Sequence, residues 1–192
     1  MTVVREWNVL VVSSSEKGTE FITKNLNGSF NAEIASCGAE ARRKLADKDY
    51  DIVLINSPLR DEFGSELAEN VIKDSYAGVM LLVKNEVYDG VSSAMEKAGV
   101  FCLPKPLSSF SFVQGLRLTV ATCQRLKGLI RKTESLKEKM EEIKLVGRAK
   151  LLLISKLSFT EEEAHKYIEK QAMDRCVKKT VIACDIIKNY ND

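Results

Sequence analysis

The sequence predicts an α/β protein with a five-stranded, parallel, doubly wound sheet, followed by a long coiled-coil helix and a small three-helix bundle. Three observations support this prediction. Five short apolar runs alternate with helical patterns over the first two thirds of the 192-residue chain. Apolar residues then recur at heptad spacing along a polar segment. Apolar density rises again over residues 148–192, where helix-start signals interrupt it.

The five apolar runs are typical of buried strands, and the run that ends before Asn56, Ser57 and Pro58 has the strongest signal. A helical pattern follows each run. Right-handed crossovers between parallel strands place any site at the carboxyl edge of the sheet. The predicted strands are 8–12, 31–37, 51–55, 78–83 and 100–103, the last one ended by Pro104-Lys105-Pro106, and the fifth helix is predicted over 110–122.

Segment 125–157 has a narrow apolar stripe between Lys, Arg and Glu residues, with Gly128 and Gly147 as its weak points. So narrow a stripe favours a coiled coil between two copies of the chain, although a surface helix packed on its own domain is the alternative. The predicted domains are therefore 1–122, a linker helix over 123–147, and 148–192. The two seam positions are occupied by Leu129, Leu136 and Ile143, and by Leu126, Thr133 and Met140.

Composition is that of an ordinary globular protein, with 45% hydrophobic and 29% charged residues. No apolar run approaches the roughly 20 residues that span a bilayer, and no signal peptide is evident, so we expect a cytoplasmic protein. Residues 1–122 hold 13 Lys and Arg against 16 Asp and Glu, whereas residues 123–192 hold 16 against 11. The positive C-terminal third suits a polyanion partner, and it equally suits a solvated helical surface.

The sequence lacks the residue clusters that an enzyme or a metal site needs. The five cysteines form no CxxC pair, and the single histidine, His165, has no cysteine nearby. We expect reduced and mostly buried thiols and no zinc site. A cysteine nucleophile would have only His165 as a partner, and no Gly-rich phosphate loop is present. We therefore expect no enzymatic activity, no cofactor and no bound metal.

Residues 7–122 resemble the receiver domains of two-component response regulators, which have a flavodoxin-like (CheY-like) fold. The resemblance rests on the order of elements, on Leu103-Pro104-Lys105-Pro106, and on Gly64 eight residues after Asn56. It implies an acidic pair after the first strand, a phospho-accepting aspartate after the third, a hydroxyl after the fourth and a lysine after the fifth. These positions fall on Ser13 and Ser14, on Asn56, on Val83 (or Lys84 if the register shifts by one), and on Lys105.

These substitutions remove the chemistry of the family's site. Aspartyl phosphate formation needs a carboxylate nucleophile, and Asn56 carries an uncharged amide. Mg²⁺ prefers anionic oxygen ligands, which Ser13 and Ser14 do not supply. We therefore predict a pseudo-receiver that is not phosphorylated and binds no Mg²⁺, in which Lys105 hydrogen-bonds Asn56 or loop carbonyls. A degenerate site that accepts a phosphate through another residue is the alternative, and a ligand or protein partner for the pocket stays open.

Residues 130–190 resemble the ANTAR domain, an RNA-binding module of bacterial transcription antitermination regulators. Thr160 and Glu163 predict a capping box at the start of one helix, and a further helix is predicted over 178–190. Leu151 departs from the pattern, because the family usually has glycine there. The other matching positions are Ala149 and Lys150, Leu153, Ala164, Tyr167, Ala172 and Met173, and Ala183 with Ile186 and Ile187.

The resemblance implies binding to hairpins in a nascent transcript, which prevents an overlapping terminator hairpin from forming. Proteins bind RNA loops by stacking on splayed bases and by phosphate contacts. Each candidate residue fits a solvated surface equally well, and Tyr167 also fits a half-buried position. The candidates for RNA contact are Lys150, Lys156, His165, Lys166, Tyr167, Lys170, Arg175, Lys178 and Lys179, the last two near a helix N-terminus that attracts phosphate.

The predicted function is therefore a dimeric antitermination regulator that binds structured RNA and is controlled without receiver phosphorylation, for example by a protein docked on the pseudo-receiver. The alternative is a dimeric protein–protein signalling adaptor whose helical tail binds a protein. A DNA-binding regulator fits less well, because the connection near Phe159 lacks the Gly-containing turn common in helix-turn-helix motifs. Salt dependence separates RNA binding from a helix-in-groove contact.

Overall fold

The computed structural model describes residues 6–190. The chain divides into two compact units, Met1–Gly128 and Leu129–Asp192. In the part of the chain that is described, no helix combines the length and the apolar character needed to span a bilayer.

The first unit is built on a five-stranded parallel sheet with strand order β2-β1-β3-β4-β5. This arrangement confirms the predicted doubly wound fold. The strands are β1 (Trp7–Ser13), β2 (Phe30–Ala35), β3 (Ile52–Asn56), β4 (Gly78–Lys84) and β5 (Phe101–Lys105). The helices are α1 (Glu16–Asn25), α2 (Gly38–Asp47), α3 (Ser65–Asp74), α4 (Asn85–Lys97) and the long α5 (Ser109–Leu157).

Helices cover both faces of the sheet, which explains why the strand sequences are apolar at nearly every position. On one face, residues such as Leu10 and Val53 pack with α2, α3 and α4. On the other, Val11 and Leu54 pack with α1 and with Phe112 of α5. All five residues of β3 are buried, so this strand lies at the centre of the core and delivers Asn56 to the carboxyl edge.

Two strand ends differ by two residues from the sequence-based expectation, and the other three differ by one. The second strand ends at Ala35, since Cys37 is already the N-cap of α2. The fifth strand does not end before Pro104 but continues to Lys105. An edge strand lacks a partner on one side, so it tolerates a residue without an N–H group. As a consequence, Lys105 lies opposite Lys84 in the register of β4 and β5.

The helices predicted over 110–122 and 125–157 form one continuous helix, α5, because residues 123 and 124 are helical too. Within the first unit, this helix packs on the sheet beyond the predicted boundary at residue 122. Cys123 is buried, and the Lys127 ammonium pairs with the Asp51 carboxylate and lies 5.7 Å from the centroid of the Trp7 ring.

The second unit packs the C-terminal part of α5 with α6 (Glu161–Asp174) and α7 (Lys179–Tyr190). The predicted capping box is present, because the Glu163 N–H donates to Thr160 Oγ1 (3.2 Å) and the Thr160 N–H donates to Glu163 Oε2 (2.8 Å). Small side chains allow the helices to approach closely. The buried core consists of Ala149, Leu153, Ala164, Ile168, Ala172, Ile182, Ala183 and Ile186.

We expect the substitution Gly78→Ala to destabilise the first unit by about 1–3 kcal/mol, the usual cost of overpacking. A Cβ atom at residue 78 would lie 2.3 Å from Cys123 Sγ and 2.7 Å from Thr119 Cγ2, both in buried side chains. Urea unfolding followed by the fluorescence of Trp7, the only tryptophan in the sequence, reports on this unit.

The matched control is Gly90→Ala in α4, where the added methyl group meets nothing within 4 Å. This change should stabilise the unit by about 0.5–1 kcal/mol through helix propensity. Adding Cys123→Ala to the Gly78→Ala variant should recover part of the lost stability. If both glycine variants shift the urea midpoint equally, the close packing of α5 on β4 is not the cause.

Candidate functional sites

The carboxyl ends of three strands bring Ser13, Asn56 and Lys105 together. Ser13 lies opposite Asn56 in the register of β1 and β3, and Asn56 Nδ2 donates to Ser13 Oγ (3.0 Å). Lys105 Nζ donates to Asn56 Oδ1 (2.8 Å) and to the carbonyl oxygen of Ser57. The hydrogen bonds predicted for Lys105 are thus both present, and they leave Asn56 bonded at both ends of its amide.

Helix α1 closes one side of this network. A Cβ atom at Gly18 would lie 2.1 Å from Asn56 Nδ2, so only glycine allows α1 to pack this closely against the amide. The Ser13 hydroxyl, which accepts from the amide, donates in turn to the carbonyl oxygen of Ser15 (3.2 Å). Ser13 therefore takes part in a network of uncharged groups, where it accepts from Asn56 and donates to Ser15.

The loop after β3 is bound to α2 through two carboxylates. Asp61 accepts the N–H groups of Gly38 and Ala39, both at 3.0 Å, and these bonds hold its pKa below the ordinary value. Glu62 forms a bidentate pair with Arg42, at 2.7 and 2.8 Å. Asp61 and Glu62 therefore fix the loop to α2.

The structure corrects the assignment of Val83 to this pocket. Val83 is fully buried among the core residues beneath α2, α3 and α4, because successive side chains of a strand point to opposite faces. The next residue, Lys84, is exposed and lies opposite Lys105. Ser14 does reach the pocket, where its hydroxyl donates to the Ser36 carbonyl (2.8 Å) and accepts the Arg60 N–H (2.9 Å).

A cavity of about 430 Å³ remains between these loops, lined by residues of the β1–α1 and β3–α3 loops and by Asn56 and Lys105. Burial lowers the pKa of the Lys105 ammonium, and the nearby charge of Lys84 lowers it further. Over residues 6–190, no group of three or more His, Cys, Asp or Glu side chains could hold a metal ion.

The apolar stripe on α5 in the second unit is exposed. Leu136, Met140 and Ile143 are 62%, 59% and 72% exposed. Met140 and the buried Ala149 are nine residues apart, or two and a half helical turns, so they point in opposite directions. Leu151 is also exposed and lies eleven residues, about three turns, after Met140. The residue that departs from the ANTAR pattern therefore extends the stripe and does not disturb the bundle core.

Four of the predicted RNA-contacting cations form ion pairs within the second unit. These pairs neutralise part of its positive charge and were missed from sequence alone. Only the pair between Lys166 and Glu162 has the i, i+4 spacing that a sequence reveals. The other three join residues 10 or 11 positions apart in the chain. They are Lys150 with Glu161 (2.8 Å), Arg175 with Asp185 (3.3 Å), and Lys179 with Glu169, which also lies 3.4 Å from His165.

Lys156, Lys170 and Lys178 are exposed, and no carboxylate in the described part of the chain pairs with them. Tyr167 is 40% exposed, and its ring meets Phe159 edge-on with centroids 5.7 Å apart. Tyr167 is thus exposed, with one edge-on aromatic contact to Phe159.

Comparison with known structures supports the receiver fold of the first unit. The receiver domain of an HD domain-containing protein from Pseudomonas fluorescens superposes with a TM-score of 0.60 at 19% identity, covering 67% of this chain and 96% of the other. A response regulator receiver domain from Clostridium thermocellum gives a TM-score of 0.52 at 18% identity, covering 65% and 98%. At these identities, the likeness concerns the fold.

Comparison of sequences extends further along the chain. The transcriptional regulatory protein PdtaR of Mycobacterium tuberculosis is 29% identical over 160 residues, which are 83% of this chain and 73% of PdtaR. The ANTAR domain family matches residues 134–187. A receiver-like fold therefore precedes a segment that matches the ANTAR domain, and the chain is similar to a transcriptional regulatory protein over most of its length. These similarities support, in general terms, an RNA-binding regulator of the antitermination type.

The ANTAR match begins at residue 134, inside α5 and well before the predicted domain start at residue 148. The matched segment therefore includes the last part of the exposed stripe as well as the three-helix core. All nine residues proposed from the sequence for RNA contact, from Lys150 to Lys179, lie within it. The match does not distinguish the three unpaired lysines from the ion-paired cations.

Proposed function

We propose that this response regulator binds hairpins in nascent RNA through its ANTAR domain and acts without phosphorylation of its receiver domain. The observation that carries the proposal is that the ANTAR match contains an exposed set of cations, of which Lys156, Lys170 and Lys178 have no carboxylate partner within residues 6–190. Bound protein would then prevent a terminator hairpin from forming in the same transcript.

Regulation without phosphorylation is supported by the bonds of Asn56. Its amide has no carboxylate oxygen to attack a phosphoryl donor, and both of its ends are engaged by Ser13 and Lys105. Mg²⁺ binding would require anionic oxygens where Ser13 and Ser14 provide hydroxyls. A regulatory protein that binds the receiver domain would control the protein without aspartyl phosphorylation and without Mg²⁺.

Dimerisation through the exposed stripe of α5 would suit this function. Leu129, Leu136, Met140 and Ile143 are each more than half exposed in the single chain, and their heptad spacing matches a coiled-coil seam. A two-fold protein can hold two hairpins of one transcript. The second binding event is then intramolecular, and overall affinity rises without any new contact.

A protein–protein adaptor is the second candidate function, and the charge of the matched segment favours it. Residues 134–187 contain 11 Lys and Arg against 10 Asp and Glu, which is close to neutral for a polyanion-binding domain. In that case the helical tail would bind a protein partner, and its binding would depend only weakly on salt.

The unpaired lysines provide the test between these two functions. We expect the triple variant Lys156→Gln, Lys170→Gln and Lys178→Gln to weaken binding to the structured leader transcript of the neighbouring operon. The slope of log affinity against log salt should fall by about 0.7–0.9 for each lysine that contacts a phosphate. Gel shifts at several salt concentrations measure this slope.

The matched control removes the same charge from ion-paired lysines, through Lys150→Gln, Lys166→Gln and Lys179→Gln. This variant should change the slope less, because each of these lysines already has a carboxylate partner. Equal slopes for both triple variants would remove the unpaired lysines from the RNA contact. Failure of the unmodified protein to bind any structured leader would favour the adaptor.

We expect Leu136→Lys to convert a dimer into a monomer, because it places a charge in the apolar seam. Sedimentation equilibrium of the full chain measures the change. Glu138→Lys is the matched control, since it introduces the same side chain 200° around α5 from residue 136, away from the stripe. The predicted dimer contact through the apolar stripe would be contradicted if the unmodified protein were a monomer, or if both variants dissociated equally.

We expect Asn56→Asp alone not to restore phosphorylation. The substitution supplies a nucleophile, but Ser13 and Ser14 still provide no anionic ligand for Mg²⁺. Intact-mass measurement after incubation with acetyl phosphate and Mg²⁺ should show no added phosphoryl group in this variant or in the unmodified protein. The combined variant Asn56→Asp with Ser13→Asp and Ser14→Asp is the positive comparison. A phosphoryl group on the unmodified chain would overturn the unphosphorylated mechanism.

A further inference from the structure

The pocket at the carboxyl edge of the receiver sheet has the charge distribution of an anion site. Among the described residues that line it, Arg60 and Lys105 are cationic and none carries a carboxylate. Lys84, opposite Lys105 in the register of β4 and β5, adds a third positive charge at the same edge. The charged side chains that line the pocket are therefore positive, whereas the resemblance implies acidic residues at this position.

The ammonium group of Lys105 has neutral partners only. Its acceptors within the described chain are Asn56 Oδ1 and the Ser57 carbonyl oxygen. An ammonium group has three N–H donors, so one is left for a ligand. The pKa of Lys105 is lowered by burial and by the charge of Lys84, which is the direction expected for a cation without an anion beside it.

The neighbouring carboxylates are held out of the pocket. Asp61 is bound to two backbone N–H groups of α2, and Glu62 is paired with Arg42. These bonds fix the loop that carries Arg60. The backbone N–H of Arg60 donates to Ser14 Oγ. Ser15 accepts the Gly18 N–H (3.2 Å) and keeps its O–H available to donate. The pocket is thus positive and lined with hydroxyl groups before any ligand arrives.

We propose that this pocket binds a small oxyanion of the phosphate class non-covalently and without a metal ion. The proposal deepens the regulation described above, because it rests on a receiver domain that is not phosphorylated. Lys105 is the main ligand-binding residue. Arg60 contributes less, since it also borders a second cavity that contains Glu16 and Glu20, whose charges oppose an anion.

The test is isothermal titration calorimetry of the full chain in EDTA, with inorganic phosphate, sulfate, and chloride at matched ionic strength. Phosphate and sulfate should bind saturably and raise Tm, whereas chloride should do neither. Glycerol 3-phosphate is titrated in parallel. Tighter binding of this ester than of inorganic phosphate would assign the site to a phosphomonoester, and the reverse would assign it to the free anion.

Three variants and one control locate the site. Lys105→Gln should raise the Kd at least tenfold, and Arg60→Gln should raise it about threefold. Asn56→Asp, which places a carboxylate on Lys105, should raise the Kd as much as Lys105→Gln does. It also tests the claim if Lys105→Gln fails to fold. Lys97→Gln, an exposed lysine at the end of α4, should leave the Kd unchanged.

The proposal is overturned if phosphate acts no differently from chloride. It is also overturned if the folded Asn56→Asp and Lys105→Gln variants bind phosphate as the unmodified chain does. Intact mass after exposure to acetyl phosphate separates this failure from that of the proposed function. A covalent phosphoryl group would defeat the unphosphorylated mechanism, whereas absence of both covalent and reversible phosphate binding defeats the anion site alone.

Discussion

Burial of one side of α5 is the constraint on which both compact units depend. In the first unit, Phe112 and Leu116 fill the core layer that α1 and α5 share with the sheet, and each is almost completely buried. In the second unit, Ala149 and Leu153 supply the α5 contribution to the bundle core. Between these segments the helix keeps its apolar residues on the surface. This middle part of the 49-residue helix therefore buries little apolar surface within the described chain.

The pocket at the carboxyl edge of the sheet contains a lysine, and none of the described residues that line it carries a carboxylate. A lysine beside several carboxylates would be neutralised by them. Here Lys105 meets an amide and a carbonyl, which accept hydrogen bonds from two of its three N–H groups and do not neutralise its charge. Since the amide of Asn56 must present its oxygen to Lys105, its nitrogen turns to Ser13, and Gly18 leaves room for that nitrogen. The amide of Asn56 therefore fixes the orientation of a network that joins three strands.

Local signals in the sequence predicted most of the fold. The five apolar runs gave the strands, and Thr160 with Glu163 gave the start of α6, since both depend on residues close together in the chain. The end of β5 was missed because tolerance of Pro104 depends on strand order. Side chains alternate between the two faces of a strand, so the face on which Val83 lies follows only once the end of β4 at Lys84 is known. The partners of Lys150 and Lys179 lie 10 or 11 residues away on another helix, so only the tertiary structure reveals them.

An ion pair does not by itself prevent a lysine from binding a phosphate. An exposed pair contributes only about 0–1 kcal/mol, because water screens it and two flexible side chains must be ordered. A phosphate that replaces Glu169 beside Lys179 therefore faces a small cost, and Glu169 returns to solvent. That cost is nevertheless absent at Lys170, which has no such partner in the described chain. Lysines with a carboxylate partner would thus contribute less to the binding of a polyanion than lysines without one. A polyanion that contacts only a few of these lysines would bind more weakly.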